Sequence, residues 1–276
     1  MQDLDGRTAV VIGGGSGIGR GISLGLGAAG MRVVVADIEP DAAATVAAEI
    51  RDRNGTAVAR RVDGTSVDSL EELAAFATAE YGAVHVLSNN VGVIADRPLP
   101  DATEADWGWF LEFNVMAIVR GVRVFLPDLR AHGEPAHIVN TSSMAGLLAL
   151  DPALTGGVHT GLYTTTKHAL IGYSAMLRAE LEPEGIGVSV LCPGLVAGNL
   201  SVTAARNRPE RFGGPAPAPP RQVPPSAMPN EAIGPRVVAG IRANRLHLFT
   251  HDDEYIATML QARHDALLAD FRATPA

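Results

Sequence analysis

Apolar residues along this chain fall into short runs, and between the runs they recur at the spacing of one helix face. Thr8-Ala9-Val10-Val11 reads as a buried strand. Arg32–Asp37, Ala57–Val62, Val84–Ser88, Ala136–Asn140, Gly187–Cys192 and Leu246–Phe249 repeat that signal. Helical patterns alternate with them: Arg20 to Ala29, Pro40 to about Asn54, Ser66 to Tyr81, Thr103 to about Ala131, Leu162 to Glu182, Ala232–Ala243 and Glu254–Ala273. Proline suits a first helical turn, as at Pro40, and Asn54-Gly55 is a stop signal. Ser66 can cap its helix, whose Leu70, Leu73, Ala74 and Ala77 share one face. Pro127 predicts an irregularity in the long helix from Thr103.

This βα alternation predicts an α/β fold: a three-layer, doubly wound parallel sheet of the Rossmann type with about seven strands. Ligands of such sheets bind at the C-terminal strand ends. A single domain over residues 1–276 is the expectation. Val202 to Pro229 breaks the pattern with eight prolines, which argues against regular helix or central strand there. Its place after the sixth strand predicts a substrate lid at about 197–230, and a helical tail follows at about 252–276.

Charge and cysteine content narrow the partners. A net charge of −8 argues against a nucleic-acid or membrane-surface role. No apolar run reaches the ~18 residues of a membrane span. Met1-Gln2-Asp3-Leu4-Asp5-Gly6 has neither a basic start nor an apolar signal core, so a cytoplasmic location is expected. The single cysteine, Cys192, lies in an apolar strand pattern and reads as a core thiol. No metal site is expected.

Two clusters of residues carry chemistry. Ile12-Gly13-Gly14-Gly15-Ser16-Gly17-Ile18-Gly19 lies between a strand and a helix, the context of a dinucleotide fingerprint. There Gly13 permits the sharp turn, Gly17 lets backbone approach a pyrophosphate and Gly19 lets the helix pack close, its N-terminal amides facing phosphate. Asp37 closes the second strand, where a carboxylate can accept bonds from an adenosine ribose. The second cluster is Tyr163 and Lys167, an i, i+4 pair on one helix face. A nearby ammonium favours phenolate, which predicts a lowered Tyr163 pKa and a usable acid or base.

With Asn89-Asn90-Val91-Gly92, Asn114, Ser142-Ser143 and Pro193-Gly194, these motifs make the chain similar to the short-chain dehydrogenase/reductase family, over about residues 6 to 200. The resemblance implies an enzyme that moves hydride between NAD and a small-molecule secondary alcohol or ketone. It implies Tyr163 as acid/base, Lys167 as its modulator and ribose ligand, and Ser143 on the substrate oxygen, with Ser142 the alternative. Asn114 would bind a relay water, or be a helix amide bonded to backbone. The cofactor would meet Gly13, Ser16, Gly17, Ile18, Gly19, Asp37, Asp63, Gly64, Asn90, Val91, Tyr163, Lys167, Pro193, Gly194 and Val196. A homo-oligomer, dimer or tetramer, would form through the helices at about 103–131 and 162–182.

Departures from the family pattern are Ile12 for threonine, Val91 for alanine, and Gly198 where a threonine often stands, with Asn199 or Ser201 as substitutes. Ala149 to Gly161 is an added stretch beside the site. Its His159 reads as an exposed loop histidine, with substrate contact or second base as the alternative. In the lid, Asn207-Arg208-Pro209-Glu210-Arg211-Phe212 resembles a subgroup that oxidises benzylic secondary alcohols of lignin-derived aryl ethers. A steroid or terpenoid alcohol is the competing substrate. The rival functions are a non-catalytic NAD-binding regulator, which would not need Ser143, Tyr163 and Lys167, and a sugar-nucleotide epimerase or dehydratase.

Overall fold

A computed structural model describes residues 1–149, 151–152, 157–217, 224–252 and 254–273. Seven parallel strands form one sheet: β1 (Thr8–Ile12), β2 (Arg32–Asp37), β3 (Thr56–Arg61), β4 (Val86–Asn89), β5 (Ala136–Thr141), β6 (Ile186–Cys192) and β7 (His247–Phe249). Their order is β3-β2-β1-β4-β5-β6-β7, so the connections reverse direction between β1 and β4. That is the doubly wound arrangement the alternation predicts.

Every residue of β1 is buried, and the side chains divide by strand period. Ala9 and Val11, with Val33 and Val35 of β2, pack under α1 (Gly17–Ala28) and α2 (Pro40–Asp52). Val10, Ile12, Val34 and Ala36 face the other way, into a core shared with α3 (Val67–Tyr81). Burying a Val or Ile side chain contributes about 1.5–3 kcal/mol, which makes a sheet covered on both faces the stable solution. Asn54 adopts φ 63° just beyond α2, and Ser66 accepts the Ser69 N–H at 3.3 Å, so both punctuation signals are used.

The stretch from Thr103 departs from expectation. It is α4 (Glu104–Leu111), a π-helical turn at Glu112–Met116, then α5 (Ala117–Ala131). The irregularity sits at Asn114, while Pro127 lies inside regular helix. The cause is polar: the buried Asn114 amide holds the backbone of Val93, and the helix must bulge to present it. The chain continues through α6 (Gly161–Leu181), which turns Leu170, Leu177 and Leu181 inward. Strand β6 then leads into α7 (Leu200–Arg206), helix inside the region expected to lack it from Val202 onward; the first proline comes only at Pro209. The loop is closed at its base where Val196 bridges Met228, and part of the expected lid, 218–223, lies outside the described residues. Next come α8 (Ile233–Arg242), β7 and the exposed α9 (Glu254–Ala273), which packs through Ile256, Met259 and Leu260. Among the described residues no helix is long and apolar enough to cross a membrane.

Helices α1 and α8 cross where Gly25 meets Gly234, backbone against backbone. Alanine gains about 1 kcal/mol over glycine in a helix. At Gly25 the added methyl meets the Gly234 backbone, which cannot yield, and overpacking costs about 1–3 kcal/mol or more. Gly25→Ala therefore lowers the urea midpoint. Gly172→Ala raises it, because Gly172 lies in α6 with open space around it. Equal midpoints for the two variants would contradict this crossing.

Candidate active site

The C-terminal edges of β1, β2, β4, β5 and β6 bring the sequence-predicted residues together. Gly13 turns the chain after β1 with φ 76°, and its neighbour across the turn is backbone: a Cβ there would lie 2.9 Å from the Asn90 carbonyl oxygen. Gly17 has φ 48° and nothing within 4 Å of a Cβ position, so the turn presents open backbone to the groove. A Cβ on Gly19 would overlap the Gly13 carbonyl, which lets α1 start hard against the turn. Ser16, the N-cap of α1, makes no side-chain capping bond. Asn90 Nδ2 donates to Gly13 O at 3.1 Å, tying the β4 loop to the turn.

Asp37, at the end of β2, is 8% exposed. Its Oδ2 accepts the Gly15 N–H at 2.8 Å and its Oδ1 the Glu39 N–H at 3.1 Å. Burial raises its pKa and the two backbone bonds hold it down. Each carboxylate oxygen keeps a second lone pair, the acceptor set that a ribose diol requires. Asp63 accepts the N–H and hydroxyl of Thr65 at 2.9 and 2.7 Å, and Gly64 rests on Val91. Two of the nearby cations are already engaged. Arg20 donates to Glu49, Asn230 and Glu231, and Arg60 stacks on Phe76 with 4.7 Å to the ring centre.

On the other side of the groove, Tyr163 lies in the first turn of α6, half-buried, with Ser143 facing its phenol. Ser142 is 2% exposed and donates to Lys167 O at 2.8 Å, so of the two adjacent hydroxyls only Ser143 is turned to Tyr163. Lys167 Nζ donates to Thr141 O at 2.9 Å and lies 5.5 Å from the Tyr163 ring centre. The expected lowering of the Tyr163 pKa is not what this geometry produces. Burial pushes the phenol up, opposed by Ser143, and burial pulls Lys167 down to about 7. Asn114 Oδ1 accepts the Val93 N–H at 2.6 Å, and Nδ2 donates to Val93 O at 3.1 Å and to Thr166 Oγ1 at 3.0 Å. It is thus the backbone-bonded amide of the two readings, with one Oδ1 lone pair left for a water.

Pro193 accepts the Met144 N–H at 2.9 Å, and the Gly194 N–H donates to Thr250 Oγ1 at 3.0 Å. A Cβ on Gly194 would lie 2.6 Å from His251 Nδ1, so the backbone passes close to that imidazole. Gly198 passes over the glycine turn, a Cβ there lying 3.6 Å from Gly17 Cα. His159 is exposed and bonds Asp96 through its N–H at 2.9 Å and its Nδ1 at 3.1 Å. It therefore closes the added stretch onto the β4 loop; residues 150 and 153–156 of that stretch lie outside the described residues.

Beside Tyr163 stands an apolar wall. Val93, Trp109, Phe110, Leu162 and Ala204 are its buried members, with Trp107, Phe113 and Phe212 partly buried against them. The segment after α7 is fastened to this wall by Arg208, which donates to Asp106 Oδ1 at 2.8 Å and covers the Trp109 ring at 4.4 Å. Asp106 is also the capping partner of Thr103. Asp106, Thr250 and His251 are not among the sequence-predicted residues, and Arg208 enters there only as part of the 207–212 motif. For Asp106 a signal existed, since Thr-x-x-Asp ahead of an apolar run is a capping pattern. Among the described residues no cluster of His, Cys, Asp and Glu is placed to hold a metal.

The family model described as short chain dehydrogenase matches residues 7–209. A 1-deoxy-11-beta-hydroxypentalenate dehydrogenase of Streptomyces exfoliatus is 32% identical over 255 residues, 92% of this chain and 86% of the relative. A C alpha-dehydrogenase of Sphingobium sp. strain SYK-6 is 33% identical over 214 residues, 77% of this chain and 68% of the relative. Among solved structures, a short chain dehydrogenase/reductase from Burkholderia phymatum in complex with NAD superposes with a TM-score of 0.86. It has 30% identity and covers 100% of this chain and 98% of that one.

The buried Lys167 makes stability depend on pH. Its pKa is about 7 in the folded protein against 10.5 for an ordinary lysine, so between these values the unfolded chain binds the extra proton. Stability therefore rises with pH across pH 7–9. Urea titrations of the protein without ligand should show that rise, and Lys167→Met should flatten it. An unchanged slope would place the ammonium in contact with water.

Proposed function

We infer that this chain, which belongs to the short-chain dehydrogenase/reductase family, is an NAD-dependent oxidoreductase that interconverts a bulky secondary alcohol and its ketone. The observation that carries the reading is that one edge of the sheet gathers the glycine turn and Asp37 with Ser143 at the end of β5 and the Tyr163–Lys167 pair of α6, the amine 5.5 Å from the phenol ring centre. NAD, when bound, supplies the hydride acceptor or donor.

The protein's own groups handle binding and the proton. Asp37 would accept the ribose hydroxyls, and the open backbone at Gly17 with the first amides of α1 would take the phosphates. Asp63, Gly64, Asn90, Val91, Pro193, Gly194 and Val196 border the same groove. Ser143 bonds the substrate oxygen and Tyr163 exchanges its proton. With its pKa raised, Tyr163 is the neutral phenol near pH 7, ready to give a proton to a ketone. Alcohol oxidation needs the phenolate and gains rate toward alkaline pH. Lys167, buried and titrating near neutrality, becomes the phenol's electrostatic partner in its charged form.

The wall of Trp107, Phe113 and Phe212 supports a bulky or aryl substrate. A relative named C alpha-dehydrogenase supports the aryl form, and one named 1-deoxy-11-beta-hydroxypentalenate dehydrogenase supports a larger alicyclic one. Exposed Met116 and Met176 on the long helices support a homo-oligomer, dimer or tetramer. The net charge of −8 supports an enzyme without nucleic-acid or membrane-surface partners.

Tyr163→Phe keeps the ring and its packing and removes the transferable proton, a contribution of about 10²–10⁴-fold. Turnover with a panel of secondary alcohols, followed at the reduced-nicotinamide absorbance, should fall by that factor while NADH still binds. A variant keeping more than about a tenth of kcat/KM would remove Tyr163 from the role.

Cofactor choice follows from Asp37. At roughly 5 Å and an effective dielectric of about 20, each unit of charge on a 2′-phosphate costs on the order of 3 kcal/mol. Solvent and counter-ions reduce this, and Arg20 and Arg60 are engaged elsewhere. NAD should exceed NADP by at least tenfold in kcat/KM, and Asp37→Ala should shrink the ratio. Equal use by the unmutated enzyme would put Arg61, beside Asp37 in the sheet, at the 2′-position.

A further inference from the structure

Glu39 and the end of α7 meet although they start from distant strands. Arg206 Nη2 donates to Glu39 Oε1 at 2.5 Å and Asn207 Nδ2 to the same oxygen at 3.0 Å. Both bonds hold the Glu39 carboxyl below its usual range, Asn207 being the stronger cause. Glu39 follows β2, whereas α7 follows β6. In the sheet β2 and β6 are separated by β1, β4 and β5. At ~4.8 Å per strand this is a span of roughly 19 Å along the C-terminal edge. The chain covers it by crossing the glycine turn, where Gly198 lies over Gly17, and then by α7 itself.

The contact therefore closes above the groove and not beside it. Its near end is fixed to the ribose-binding unit, since the Glu39 N–H donates to Asp37 Oδ1. Its far end is fixed to the apolar wall one residue later, through Arg208 and Asp106. The two fastenings differ in kind. The Arg208–Asp106 pair is buried, with 16% and 6% of the side chains exposed. The Arg206–Glu39 pair is 60% and 35% exposed, so it is weak, screened by salt and able to open while the wall stays intact.

We propose that Glu39, Arg206 and Asn207 form a clasp over the dinucleotide groove, and that opening this clasp sets the rate at which the cofactor leaves. The inference rests on the NAD reading above. The three residues are positioning residues: they hold the lid across the groove and take no part in hydride or proton transfer. Dissociation requires the bridge to break, so the clasp acts on koff more than on kon.

The test follows NADH release by stopped flow, displacing bound NADH with excess NAD and reading energy transfer from Trp107 and Trp109, the only tryptophans. Glu39→Gln and Arg206→Met should each speed release about three- to fivefold and raise the NADH Kd similarly. The double variant should be no faster than the singles, and salt should speed release from the unmutated protein only. Both groups are solvent-exposed, so the variants fold; unfolding midpoints check that. Release within twofold of the unmutated rate in both singles overturns the clasp while leaving the NAD reading in place. An unmutated protein that binds no NADH overturns the NAD reading and the clasp with it.

Discussion

A parallel sheet covered by helices on both faces leaves polar groups free to meet a ligand only at the ends of its strands. β1 shows how strict this is, with every one of its residues buried. The backbone itself takes up the constraint at the edge between β1 and β4, where the connections reverse. Gly13 and Gly19 close on one another and on Asn90, so the groove there is lined by peptide groups in place of side chains. Everything that can recognise a polar ligand then stands on the rim: Asp37 on one side, Ser143 and Tyr163 on the other. The buried Asn89–Asn140–Ser174 chain, with bonds of 3.0 and 3.2 Å, joins β4, β5 and α6 beneath that rim and fixes the spacing of its two sides.

Local signals in the sequence were enough for the sheet, because burial on both faces writes itself as short apolar runs and each helix needs a start and a stop. Asp37, Tyr163 and Lys167 were legible for a similar reason: a strand end and a helical i, i+4 pair are local facts. Asn114 shows where local reading ends. Pro127 is the residue that breaks helices by propensity, yet the break sits at Asn114, whose partner Val93 is 21 residues away. The fastenings of the segment after β6 are longer-range still. Arg206 and Arg208 look alike in sequence, and only the fold gives one an exposed partner and the other a buried one.

Tyr163 and Lys167 also show how an i, i+4 pair gains its meaning from its surroundings. Helical spacing puts them on one face, but burial acts on both before they act on each other. Desolvation favours the neutral form of each, raising the phenol and lowering the amine. The two groups, which start almost level, are driven apart as a result, the amine to about 7 and the phenol above its ordinary value. Near neutrality the phenol therefore keeps its proton, a state set by exclusion of water and not by attraction between charges.

The two borders of the sheet have a consequence of their own. β3 ends in Arg60 and Arg61, one of them folded down on Phe76, and β7 is only three residues long. An unpaired strand with charged side chains, or one too short to hold register, is a poor template for a further strand. Fibre-like growth by edge-on addition is thereby discouraged at both ends, which lets a chain with 47% hydrophobic residues carry so many β-branched runs without aggregating through them.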